Sequence, residues 1–262
     1  MGNDAVAWIL SHYQVFLLVL VRISTILFMM PVFNSKTIVM PVKAGMSLIL
    51  TWMVAPLINP ELLVLPSSTL DFFIVAIQEV IIGLILSLFL RMIFAGLQIA
   101  GQMVGVQMGL SVANIMDPQT GVQSVIVAQF AYMLALLLFL IANGHHAIVK
   151  TLFESFEILP PGNLFISKSL YQMVIIMGHE MFVLSIKLMA PVMAILLLAQ
   201  VGLGILAKLV PQINMLIVSF SINVALGLFF FGLTLQVFWP VLARSLDKAV
   251  KLMPLALKAM GG

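Results

Sequence analysis

The chain of 262 residues contains no cysteine. That one absence excludes disulfides, thiolate metal sites and cysteine nucleophiles together. Charge is nearly as scarce, at 8% of residues against 63% hydrophobic, whereas a soluble domain carries about 25% charged and about 45–50% apolar residues. Too little charge is present to coat a water-facing surface, so much of the exterior must meet lipid or apolar protein. Catalytic patterns are missing as well. Neither a G-x-S-x-G elbow nor a phosphate loop occurs. His179-Glu180 opens an H-E-x-x-H pattern, but position 183 is valine and the second ligand is lost. His145 and His146 are adjacent, about 100° apart on a helix, an arrangement that rarely shares a metal; a helix-capping turn suits Asn143-Gly144-His145-His146 better. No basic patch is interleaved with aromatics, which argues against nucleic acid. No enzyme, metal or cofactor is expected.

What the sequence does have is long apolar runs. A bilayer-spanning helix needs about 20 largely apolar residues, and candidates fall at 13–33, 44–58, 71–100, 124–142, 170–206 and 213–238. An all-α membrane protein follows. The second run is short and bounded by Pro41 and Pro56, and Pro191 inside the fifth predicts a kink or a break into two helices. Turn residues place loops at 34–43, 59–69 and 154–169. The N-terminal stretch lacks a basic leader and reads as a retained span. Positive-inside counting puts Lys36 and Lys43 in the cytoplasm and the N-terminus outside. Six spans then leave the C-terminus outside, and a split at Pro191 returns it to the cytoplasm; alternatively some segments are hairpins packed on protein.

The net charge of +3 resides in the tail after Pro240, where Arg244, Lys248, Lys251 and Lys258 face only Asp247. A basic tail beside a membrane favours the cytoplasmic side. Leu242, Leu246, Val250, Met253 and Leu257 recur there at helical spacing, which predicts an amphipathic helix that packs, docks or lies at the interface.

The densest polar signal is GQMVGVQMGLSVANIMDPQTG, residues 101–121. Gly101, Gly105 and Gly109 recur every four residues and on a helix form one flat ridge for close backbone approach. Gln102 and Gln107 place amides in apolar surroundings, where they must face protein or water. Pro118 disfavours helix at Asp117. The stretch reads as a close-packed helix running into a constrained loop, either a glycine-mediated hairpin or a gating constriction. Ionisable residues inside apolar runs, Arg22, Glu79, Arg91, Glu180, Lys187 and Lys208, are functional candidates or mutual partners. They would suit a secondary transporter, or equally salt bridges between subunits. Lys208, Pro211 and Gln212 mark the polar tip of a hairpin between two very apolar helices, either a plain hairpin or a partner contact.

The stretches GQMVGVQMGLSVANIMDP, FLIANGHH, APVMAILLLAQVGLGILAKLVPQIN and SFSINVALGL resemble, in order and spacing from about residue 10 to 245, the FliR family of type III secretion export-gate proteins. The resemblance implies a structural subunit of a protein export channel rather than an enzyme. It implies FliP-type and FliQ-type neighbours in a helical hetero-oligomer around a pore, an FlhB-type switch protein, and exported unfolded flagellar proteins as cargo. The expected fold is a set of membrane-associated helical hairpins in a single domain. A FliP-like portion would span about 1–165, a FliQ-like hairpin portion about 166–238, and a basic helix 239–262. The inner membrane and the flagellar basal body are the implied location. The family's pore-plugging loop maps onto Gly105, Gln107, Met108, Gly109, Val112, Ile115, Met116 and Asp117, with Val112, Ile115 and Met116 in place of the phenylalanines of some relatives. An equivalent role in a virulence injectisome is the alternative.

Overall fold

The computed structural model describes residues 2–33, 38–58, 66, 68–110, 126–212 and 214–261. Among them are seven α-helices: α1 (Gly2–Met29), α2 (Met40–Val54), α3 (Thr69–Gln107), α4 (Ile126–Ile141), α5 (Gly144–Ile158), α6 (Lys168–Leu209) and α7 (Met215–Gly261). A short 3-10 turn, Ala55–Leu57, extends α2. The described residues contain no strand, and the all-α expectation holds.

Local chemistry sets several boundaries. Ser68 accepts the Asp71 backbone N–H at 3.1 Å and caps α3, and Ser167 accepts that of Leu170 at 3.2 Å and caps α6. Pro41 lies in the first turn of α2, where its missing N–H has no role to fill. Asn143, in the left-handed region at φ 56, separates α4 from α5.

Three expectations change. Pro191 does not break the fifth run, because α6 is one helix of 42 residues; membrane helices tolerate proline where other groups satisfy the freed carbonyl. Residues 154–158, read as loop, are the last turn and a half of α5. The tail after Pro240 is not a helix of its own but the end of α7, and Leu242, Leu246, Met253 and Leu257 on its stripe are buried inside the chain. Among the described residues, five helices are long and apolar enough to cross a membrane, or six if α4 and α5 together make one broken span. The split at Pro191 that would have made seven is absent.

The chain divides into two compact units. One contains residues 1–92, 143–177 and 247–262; the other contains 93–142 and 178–246. In the first, α1 buries Val15, Leu18, Val19, Arg22, Ile23 and Ile26, a stripe of helical period with an arginine in its middle. Arg22 Nε donates to Glu79 Oε2 of α3 at 2.5 Å, with both side chains fully buried. Nη1 donates to the carbonyls of Ser155 and Leu159, each at 2.9 Å. Those oxygens lie at the C-terminal end of α5, where a cation is favoured, and that of Ser155 also accepts the Leu159 N–H at 3.0 Å. The guanidinium also sits 4.4 Å over the Phe156 ring, and Glu79 Oε1 accepts the Gly162 N–H at 3.3 Å. One ion pair thus joins α1, α3, the end of α5 and the turn beyond it. The Phe165 N–H then bonds the Met260 carbonyl at 2.7 Å, closing the end of α7 onto the same loop.

In the second unit α3, α4, α6 and α7 pack through small residues and aromatics. A Cβ on Gly96 would collide with the Met181 carbonyl oxygen, and Ser185 of α6 donates to the Gly96 carbonyl at 2.5 Å. Phe94 meets Tyr132 and Phe139 edge to face at 5.6 and 5.9 Å.

Removing one member of the buried pair leaves an uncompensated charge in an apolar core. Arg22→Met or Glu79→Leu alone should cost about 3–5 kcal/mol. The double variant should recover much of that loss but not all, since the Leu159 carbonyl loses its donor, while that of Ser155 keeps the Leu159 N–H. Thermal unfolding of the purified chain in detergent checks the order; equal damage from the single and double variants would refute the pairing.

Candidate functional site

The candidate gate begins where α3 ends. The Leu110 N–H bonds the Gly105 carbonyl at 3.0 Å, and the Gly109 N–H bonds that of Val106 at 2.9 Å. With Gly109 at φ 85, this is a Schellman cap, in which the left-handed residue just past the helix lets the chain fold back on its last carbonyls. Gly109 therefore stops the helix instead of extending a ridge along it. Gly101 lies inside the helix, where a Cβ would collide with the Ala128 backbone of α4, and Gly105 is buried. Close approach of α3 and α4 thus centres on Gly101.

Met108 is fully buried in a cluster with Val104, Val127, Ala128, Val192 and Leu196. Its side chain fills the space beside Gly227 of α7, where a Cβ would collide with Met108 Cγ, Sδ and Cε. The Phe220 ring lies against the Gly109 α-carbon, 3.1 Å from where a Cβ would stand. Gln107 Nε2 donates to Gln200 Oε1 of α6 at 2.9 Å, while Gln102 is exposed. The turn is thereby pinned to α6 by an amide pair and to α7 by a methionine in a glycine notch. Beside it opens a cavity of about 530 Å³, lined by Val106 to Leu110, Gln200 and, on α7, Leu216, Ser219, Phe220 and Asn223.

Val112, Ile115, Met116 and Asp117 lie outside the described residues. Lys208, Pro211 and Gln212 are exposed around the turn between α6 and α7. Of the ionisable residues in apolar runs, only Arg22 and Glu79 form a fully buried pair; Arg91, Lys187 and Lys208 are exposed and Glu180 is half-buried. His145 and His146 have ring centroids 4.2 Å apart, and no group of three potential ligands among the described residues could hold a metal. Sequence reading missed Gln200, Phe220, Asn223 and Gly227. Gln200 and Asn223 carried a signal in being amides within very apolar helices; Gly227 and Phe220 had none without the fold.

The helices and this turn define an all-helical membrane protein whose polar centre is a packed helix end. The profile of the bacterial export proteins, family 1, matches residues 13–249. The flagellar biosynthetic protein FliR of Bacillus subtilis is 30% identical over 97% of this chain and 98% of its own length. That of Pectobacterium carotovorum is 34% identical over 90% and 88%, and that of Escherichia coli 29% over 85% and 83%. The chain belongs to this family of bacterial export proteins, in agreement with the resemblance carried by its motifs.

Gly227→Ala forces Met108 out of its notch and should destabilise the second unit by about 1–3 kcal/mol, the usual cost of overpacking. Met108→Ala in the same chain should remove the clash, so the double variant should fall short of the sum of the singles. Additive losses in thermal unfolding would show that Met108 does not occupy the notch.

Proposed function

We propose that this chain is a structural and gating subunit of the flagellar protein export channel in the inner membrane, required for flagellum assembly. Membership of the export protein family over nearly the whole chain is the observation that carries this reading. The helices support it. At 1.5 Å per residue, α3, α6 and α7, with 39, 42 and 47 residues, run about 58, 63 and 70 Å, against a hydrocarbon core of about 30 Å. Much of their apolar surface must be covered by protein, as it would be in an assembly.

FliP-type, FliQ-type and FlhB-type proteins are the neighbours in this reading, with a FliP-like portion at about 1–165 and a FliQ-like portion at about 166–238. The exposed tip at Lys208, Pro211 and Gln212 contacts one of them. The basic C-terminus faces the cytoplasm, and the cargo is unfolded flagellar protein. The gate comprises the pinned turn at Gly105, Gln107, Met108 and Gly109 and continues through Val112, Ile115, Met116 and Asp117. Nothing in this role calls for catalysis.

Replacing Ile115 and Met116 with glycine should let small solutes leak across the inner membrane while the complex still assembles. Growth in the presence of a normally excluded solute, together with recovery of the complex in mild detergent, checks both halves. An intact seal would remove the loop from the gate.

A further inference from the structure

One face of α3 changes character along its length. Phe73, Ile77 and Leu84 are exposed on its first half, and Arg91, Gln98 and Gln102 are exposed on its second. At about 100° per residue these six fall on one face, Arg91, Gln98 and Gln102 within about 40° of each other. Arg91 Nη1 donates to Met29 Sδ at 3.3 Å, a weak acceptor. Among the described residues neither glutamine has a hydrogen-bond partner. Hydrocarbon penalises every such unpaired polar group. Lipid therefore suits the first half of this face and not the second. The polar half also leads to the candidate gate, because Gln102 stands less than one turn before Gly105, whose carbonyl closes the helix cap.

We infer that Gln98 and Gln102 form a wetted wall along which the exported chain passes, exchanging hydrogen bonds with its peptide groups. Three observations select an extended polypeptide. First, four residues of helix advance about 6 Å, and peptide groups on one side of an extended chain recur every two residues, about 6.4–6.8 Å. The two amides thus meet successive groups on the same side of that chain. Second, a primary amide both donates and accepts, as a peptide group does, and it does so whatever side chains the passing chain carries. Third, a passing chain needs contacts that are made and released. Gln98 and Gln102 are held by no described residue, whereas Gln107, at the gate itself, is committed to Gln200.

This inference rests on the reading of the chain as an export-channel subunit, and the test separates the two. A photo-reactive residue replaces Gln102 in the full-length chain within the intact export apparatus, and a cargo fused to a tightly folded domain is stalled in transit. The expected adduct is the stalled cargo, joined at several places along its sequence and absent when no cargo is made. The same probe at Ile77, on the apolar half of the face, should give no cargo adduct. Adducts at Gln102 with lipid only or with another membrane subunit only overturn the wall, as does an equal cargo yield at Ile77. Gln98→Leu with Gln102→Leu should lower export about fivefold at an unchanged level of complex, since an apolar lining expels water, and the two asparagine replacements, which keep the amides, should retain most of it. Gln102→Glu should slow an acidic cargo about fivefold relative to a basic one; export indifferent to cargo charge in that variant counts against the wall. If the leucine variant fails to accumulate, the adducts at Gln102 and Ile77 decide. Stalled cargo that co-purifies with the apparatus but forms no adduct at Gln102 refutes the wall and leaves the channel reading standing. Normal export from cells lacking this chain refutes the channel reading itself.

Discussion

A fully buried arginine is costly to keep, and the first unit is organised around pairing one. Arg22 is affordable only because Glu79, two carbonyls at the end of α5 and the Phe156 face meet it from separate segments. No one of these partners would suffice in a medium of low polarity. The pair is therefore less a source of net stability than a condition on geometry: α1, α3 and α5 cannot move apart without stranding a charge. The same condition fixes where α5 ends and where the chain turns at Gly162, since the carboxylate's second oxygen takes that backbone N–H.

The second unit is held differently. Its polar contacts are amides and hydroxyls, and its close approaches are made by absent side chains. Gly96 admits the Met181 carbonyl, Gly101 the Ala128 backbone, and Gly227 the Met108 side chain. Where lipid removes the hydrophobic drive between helices, such close packing and side-chain hydrogen bonds supply the attraction. The end of α3 draws on all of it. A Schellman cap stops the helix, a methionine anchors the turn, and the Gln107–Gln200 pair ties it to α6.

Much of this could be read from the residues, and the failures have physical causes. Apolar runs located α1, α2, α3, α4, α6 and α7, because burial in lipid or protein leaves that mark either way. The α5 helix was missed because Glu154 and Glu157 face outward near its end and made a helical turn look like a loop. Pro191 was overweighted, since proline's penalty falls where a helix can satisfy the freed carbonyl. Gly101, Gly105 and Gly109 were grouped by spacing alone. Spacing could not reveal that Gly109 takes a left-handed φ and serves the helix stop. Arg22 and Glu79 stood among the candidates or mutual partners, but nothing singled out this pairing, because 57 residues of chain separate the two.

The distribution of charge between the units bears on how such a gate could work. The charges committed to buried structure, Arg22 and Glu79, belong to the first unit, whereas the turn at 105–110 and its cavity are lined by amides and apolar groups. A fixed charge at a constriction would attract one sign of passing side chain and repel the other by several kcal/mol where water is scarce. Amides hold neither, so a surface of amides and apolar groups does not select by charge. What holds the turn is then packing, and the packing element is a methionine whose flexible thioether fills the glycine notch. The turn thus combines a rigid helix stop with one adaptable side chain, and its packing is set by the fit between Met108 and Gly227 rather than by any charge.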